Sequence, residues 1–87
     1  MSLKEAFEEA AAASKHMSTR PDNQTLLRLY SLYKQATEGD LGEGVPDPAP
    51  FDFVGKAKYG AWKALLGKSR EEAMNEYIHL IQTLKDR

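Results

Sequence analysis

Tyr30, Ser31, Leu32, Tyr33 and Lys34 form the most reactive-looking run in the chain. On a helix Tyr33 lies three residues and Lys34 four residues from Tyr30, so two phenols and an ammonium share one sector. A lysine can hold a phosphate while a flat ring stacks on a base, so one chemistry open to this sector is capture of a nucleotide headgroup. The plainer reading is that these tyrosines are core residues with their hydroxyls at the rim. Lys56-Ala57-Lys58-Tyr59 adds two more cations, but Lys56 and Lys58 stand about 200° apart on a helical wheel and cannot serve one ligand through one face. Two solvated lysines are the simple account of that pair. A phosphate site needs donors converging from several helices, which spacing alone does not establish.

Other chemistry is missing. His16 and His79 fall in different segments, with no HExxH pattern and no nucleophile or carboxylate at a recognisable spacing, so both read as helix-surface residues. The chain has no cysteine, which removes disulfides, thiol catalysis and thiolate metal sites. Carboxylates are scattered along outer faces, and no glycine-rich phosphate loop follows a strand. No catalytic residue and no metal site is therefore expected. With 12 Lys and Arg against 13 Asp and Glu, the formal charge of −1 argues against broad binding to nucleic acid. No stretch approaches the roughly 20 apolar residues of a membrane span, and the first turns are acidic, unlike a signal peptide. The expected compartment is cytoplasmic.

These residues must be positioned by a small scaffold. Eighty-seven residues at 41% hydrophobic allow one domain, residues 1–87, with one thin core. Ser2 with Glu5, and Ser69 with Glu72, have the spacing of capping boxes. Apolar residues at three- and four-residue steps predict helices over about Leu3 to Met17, Asn23 to Glu38, Phe53 to Leu65 and Arg70 to Lys85. In the third of these, Phe53, Val54, Ala57, Ala61, Trp62 and Leu65 form the expected stripe, with Trp62 as its core anchor. No usable length alternates with period two, so the fold class is all-α, a four-helix bundle. Gly39 to Asp52 holds three glycines and three prolines in fourteen residues. Extended at roughly 3.3 Å per residue, that loop outreaches the second helix and allows the third to run parallel to it.

The string Tyr30-Ser31-Leu32-Tyr33-Lys34-Gln35-Ala36-Thr37-Glu38-Gly39-Asp40 closely resembles the YxxYKQAxxGD signature of the acyl-CoA-binding protein family. The likeness continues through Phe51-Asp52-Phe53-Val54-Gly55-Lys56-Ala57-Lys58-Tyr59, Ala61-Trp62, and Gly67 to Met74 with Tyr77-Ile78. It implies an up-down-down-up bundle with a long crossover between helices 2 and 3. It further implies a monomeric, non-enzymatic carrier that binds medium- to long-chain fatty acyl-CoA one to one and exchanges it with acyl-CoA-producing and -consuming enzymes. By position, Tyr30, Lys34 and Lys58 resemble the residues that hold the ribose 3′-phosphate, Tyr33 the ring that stacks on adenine, and Lys15 and Tyr77 further CoA contacts. Ser31 and Leu32 belong to the same implied contact set. Phe7, Ala11, Leu26, Leu27 and Ala57 match positions along the acyl groove. Val54 stands where the family often has lysine, Tyr59 where it often has tryptophan, and the loop Leu41 to Pro50 is about two residues longer. The competing expectation is a helical protein-interaction module without a lipid ligand.

Overall fold

Every helix begins where a short polar side chain satisfies the first free amides. The computed structural model describes residues 1–17 and 20–86, and the regular elements among them are all helical: α1 Leu3–Ser14, α2 Asn23–Glu38, α3 Phe53–Lys63 and α4 Arg70–Lys85. Ser2 and Glu5 form a complete capping box, with Ser2 Oγ accepting the Glu5 N–H at 3.1 Å and Glu5 Oε1 accepting the Ser2 N–H at 3.3 Å. Ser69 and Glu72 repeat it for α4. Asp22 caps α2 through Thr25 N–H, and Asp52 caps α3 through Gly55 N–H. Each such cap is worth about 1 kcal/mol. A Cβ on Gly55 would force the Asp52 carboxylate to shift from this position.

Two helices end earlier than their periodicity predicts. The α1 pattern extends to Met17, but the helix stops at Ser14, whose hydroxyl donates to the Ala11 carbonyl at 2.6 Å. Beyond it the Lys15 and His16 amides reach carbonyls only three residues back, on Ala12 and Ala13. Likewise α3 stops at Lys63 rather than Leu65, and the Leu65 and Leu66 amides donate to Trp62 and Lys63 in a tightened final turn. Gly39 closes α2 at φ 81°, in the left-handed region open to glycine.

Side-chain pairings fix the directions. Lys58 lies over the ring of Tyr30, and four residues further along both helices Trp62 lies under Lys34, so α2 and α3 run parallel. Arg28 pairs with Glu76 while Arg70 donates to the Glu38 carbonyl, so α2 and α4 run antiparallel. With the short α1–α2 connection, the order is up-down-down-up, joined by the long crossover from residue 39 to 52.

The core sits where α4 packs on α1 and α2. Phe7 and Ala10 meet Leu29, Leu32 and Ala36 of α2 and Ala73, Tyr77 and Ile81 of α4. Leu32 and Ile81 are wholly enclosed, each contributing about 1.5–3 kcal/mol by leaving water. Among the described helices α3 packs on α2 alone, which corrects the expected α3 stripe. One ridge suffices for a single neighbour, so only Trp62 is buried, its Nε1 donating to the Gly39 carbonyl at 2.9 Å, while Phe53, Val54 and Ala57 face outward. Gln35, which carries no hydrophobic signal, is fully buried and donates to Asp40 Oδ1 and the Lys68 carbonyl, each at 2.7 Å. Asp40 Oδ1 also accepts the Gly67 N–H, so one clasp joins the end of α2, the crossover and the α3–α4 connection.

Candidate functional site

α1 and α2 both rest on α4 but make no backbone approach to each other among the described residues. The space between them is a groove of about 1120 Å³. Phe7 and Ala11 of α1 line it, with Lys15 just past the end of that helix. Leu26, Tyr30 and Tyr33 of α2 form the opposite wall, and Tyr77 rises from α4. Seven residues singled out from sequence thus meet in one cleft.

Three rings form its centre. Phe7 stacks on Tyr33 with centroids 5.7 Å apart and meets Tyr77 edge-on at 5.1 Å, while Tyr33 and Tyr77 tilt at 6.2 Å. Tyr77 is buried, and desolvation pushes its phenol above the ordinary tyrosine range, with the Ser14 hydroxyl beside it pulling partly back. Tyr33 remains 42% exposed, so its ring presents a usable surface rather than filling the core. Of the two tyrosines whose roles were left open, Tyr33 is groove surface rather than core, and Tyr30 lines the same cleft half-buried.

Lys34 and Lys58 lie on the other side of α2, in its seam with α3. Lys58 Nζ sits 5.1 Å from the centre of the Tyr30 ring, and Tyr30 is the residue common to groove and seam. Lys34 Nζ lies 5.5 Å from the Trp62 ring and 2.6 Å from Glu38 Oε2. The hydrogen bond to Glu38 is the main reason the Lys34 ammonium is held above the ordinary lysine range, against a smaller opposing effect of burial.

Besides Lys34 and Lys58, four of the expected contact residues do not line the groove. Leu32 is enclosed in the core, and Ser31 is buried with its hydroxyl donating to the Arg28 carbonyl. Leu27 is half-buried outside the cleft, and Ala57 is exposed on α3, none of whose residues line it. Lys4, Arg20 and Arg70, which no motif singles out, line the groove with positive charge against the single carboxylate of Glu8. Their signal is weak, because each is one isolated cation: Lys4 and Arg70 in the first turns of α1 and α4, and Arg20 in the connection before α2. His16 and His79 are exposed, and among the described residues no group of three or more metal-ligating side chains occurs.

A four-helix chain with this groove has close relatives. The family model described as Acyl CoA binding protein matches residues 4–81. The chain belongs to the acyl-CoA-binding protein family. It is 46% identical to the acyl-CoA-binding protein of Brassica napus over 84 residues, covering 97% of this chain and 89% of that one. It is 45% identical to that of Dictyostelium discoideum, covering 90% of each. Among solved structures, the crystal structure of acyl-CoA-binding protein 2 from Oryza sativa superposes with a TM-score of 0.89 at 41% identity, covering 98% of this chain and 92% of that one. The solution structure of the Babesia bovis protein gives a TM-score of 0.81 at 36% identity over 99% of this chain and 96% of that one. Within this family member, the aromatic and cationic residues of the signature stand on both sides of α2: Tyr30 and Tyr33 toward the groove, Lys34 toward the seam.

Proposed function

We propose that this family member binds medium- to long-chain fatty acyl-CoA one to one and serves as a monomeric carrier and buffer of these esters in the cytoplasm, without catalysing a reaction. One observation carries the reading. An apolar cleft floored by Phe7, Ala11 and Leu26 has Tyr30, Tyr33 and Lys15 along it, with Lys58 over the Tyr30 ring in the adjoining seam, which matches a molecule with one greasy end and one phosphorylated end. In this reading Lys34, Lys58 and the Tyr30 hydroxyl hold the 3′-phosphate, Tyr33 stacks on adenine, and Lys15 and Tyr77 make further contacts to CoA. Phe7, Ala11 and Leu26 take the acyl chain, and Leu27 and Ala57, which lie outside the cleft, are given no part in holding it. Ser31 and Leu32 contribute from behind, by holding this turn of α2 against the core. No metal or cofactor is assigned a part, and the enzymes that make and use acyl-CoA are the natural exchange partners.

The energetics divide between the two ends. Removing a sixteen-carbon chain from water at about 0.8 kcal/mol per methylene offers about 12 kcal/mol before ordering costs of several kcal/mol. The chain therefore supplies affinity. The headgroup supplies identity, because a free fatty acid leaves the lysines and the stacking ring without partners. Calorimetry with long-chain acyl-CoA, CoA and free fatty acid tests this: tight binding is expected for the first and weak binding for the other two. Equal affinity for acyl-CoA and fatty acid would overturn the proposal. Membership of a family of ligand binders favours this reading over a helical interaction module.

A further inference from the structure

Glu38, the last residue of α2, is held by two cations from different sides. The Lys34 ammonium bonds its carboxylate at 2.6 Å, and Arg70 reaches across from α4 to donate to its backbone carbonyl at 3.3 Å. Lys34 lies in the seam with α3, over the Trp62 ring, whereas Arg70 lines the groove. Arg70 is exposed, and a single guanidinium nitrogen serves that carbonyl, which leaves the rest of the fork for a ligand. Lys4 stands at the same end. Because α1 runs parallel to α4, Lys4 in the first turn of α1 and Arg70 at the start of α4 both line the groove beside Thr37.

Neither cation takes part in an ion pair among the described residues. Two acids of their first turns are engaged elsewhere: Glu5 accepts the Ser2 N–H and Glu72 the Ser69 N–H in the two capping boxes. Glu8, one turn along α1 from Lys4, pairs with neither. CoA carries phosphate at two positions of one ribose, a 3′-phosphate and a 5′-diphosphate that leads to the pantetheine arm. Lys34, Lys58 and Tyr30 are given to the first, and the second has no partner. A group on the same ribose must lie close to Lys34. Along α2, Lys34 is three residues from Thr37 and eight from Leu26, or about 5 Å against about 12 Å. The Arg70 end is therefore nearer than the Leu26 end, which Lys15 and Arg20 line. An arginine fork also matches paired phosphate oxygens better than a lysine point charge does.

We propose that Arg70, assisted by Lys4, holds the 5′-diphosphate of bound acyl-CoA, so that the nucleotide straddles α2 near its end, its 3′-phosphate on the seam side and its diphosphate on the groove side. This inference rests on the acyl-CoA reading, and its test separates the failure of one from the failure of the other.

Isothermal titration calorimetry with the dodecanoyl thioesters of CoA, 3′-dephospho-CoA and pantetheine distinguishes the two phosphate sites. Arg70→Gln should weaken both CoA esters roughly tenfold, with a shallower salt dependence than the parent, and leave the pantetheine thioester unchanged. Arg70→Lys should recover part of the loss. Lys4→Gln, which removes no bond to Glu38, should weaken the same two esters about threefold and keep the parent's circular dichroism spectrum and Tm. A loss in Arg70→Gln confined to the 3′-phosphorylated ester would overturn the proposal, since Arg70 would then act only by steadying the turn that carries Lys34. An equal loss with the pantetheine thioester would also overturn it, by assigning Arg70 to the acyl cleft, as would unchanged affinity in Lys4→Gln. Failure of the parent to bind dodecanoyl-CoA would instead refute the acyl-CoA reading itself, and this inference with it.

Discussion

Replacing Glu38 by glutamine should tighten the binding of long-chain acyl-CoA. Lys34 Nζ lies 2.6 Å from Glu38 Oε2, so a ligand phosphate that engages Lys34 must displace or share a carboxylate already in place. The two side chains are 31% and 52% exposed, which makes this a solvated pair one helical turn apart, worth about 0.3–1 kcal/mol. At about 1.4 kcal/mol per tenfold, relieving that competition lowers Kd by roughly 1.6- to 5-fold. Glutamine keeps the length of the side chain and removes its charge. Isothermal titration calorimetry should show the gain at low ionic strength and a smaller one at high salt, because the pair is screened. The decisive comparison is with Lys34→Ala, in which Glu38→Gln should change nothing. An equal gain with and without Lys34 would mean that Glu38 merely repels the ligand at a distance, and a loss of affinity would refute competition altogether.

Lys58→Ala should weaken binding of the same ester by roughly tenfold or more, because it removes a charge-assisted contact, and should leave the dephospho ester unaffected. Loss of affinity for both esters would assign Lys58 to another part of the ligand. Trp62→Phe removes the donor to the Gly39 carbonyl and strands that carbonyl near the end of α2, costing about 2 kcal/mol, or roughly 8–16 °C in Tm for a domain of this size; an unchanged Tm on thermal denaturation would contradict this. Asp40 bears on acid stability. The Gly67 N–H first, and Gln35 second, hold its carboxyl below the ordinary aspartate range, so the unfolded chain takes up this proton more readily than the folded one. Its contribution is present above about pH 4 and is lost as the pH falls through the lowered value. Urea midpoints measured from pH 6 downward should therefore fall less steeply in Asp40→Asn than in the parent, and parallel curves would refute the assignment.

Local signals made α2 and α4 legible from end to end. Asp22, Gly39 and the Ser69–Glu72 box act within one turn of the residues they cap, so their spacing suffices. The overruns at Met17 and Leu65 arise because an apolar period does not register a serine hydroxyl bonding back to its own helix, or a last turn that tightens. Phe53, Val54 and Ala57 have helical spacing whether or not another helix covers them, and here none does. Gln35 was invisible for the converse reason: its burial depends on three chain segments meeting at one amide group. The signature string brought Tyr30, Tyr33 and Lys34 to attention together, but spacing could not show that α4 props α1 and α2 apart. That gap decides that Tyr30 and Tyr33 face a cleft, whereas Leu32, inside the same string, faces the core.

Packing on no other helix than α2, α3 is a separate unit of opening among the described helices. It can detach with the crossover while α1, α2 and α4 keep their shared core, so its amides should exchange with solvent through a smaller opening than those of α4. A ligand that bridges Tyr30 and Lys58 would fasten that unit from outside. Exchange protection along α3 would then report the occupancy of a groove to which α3 contributes no wall.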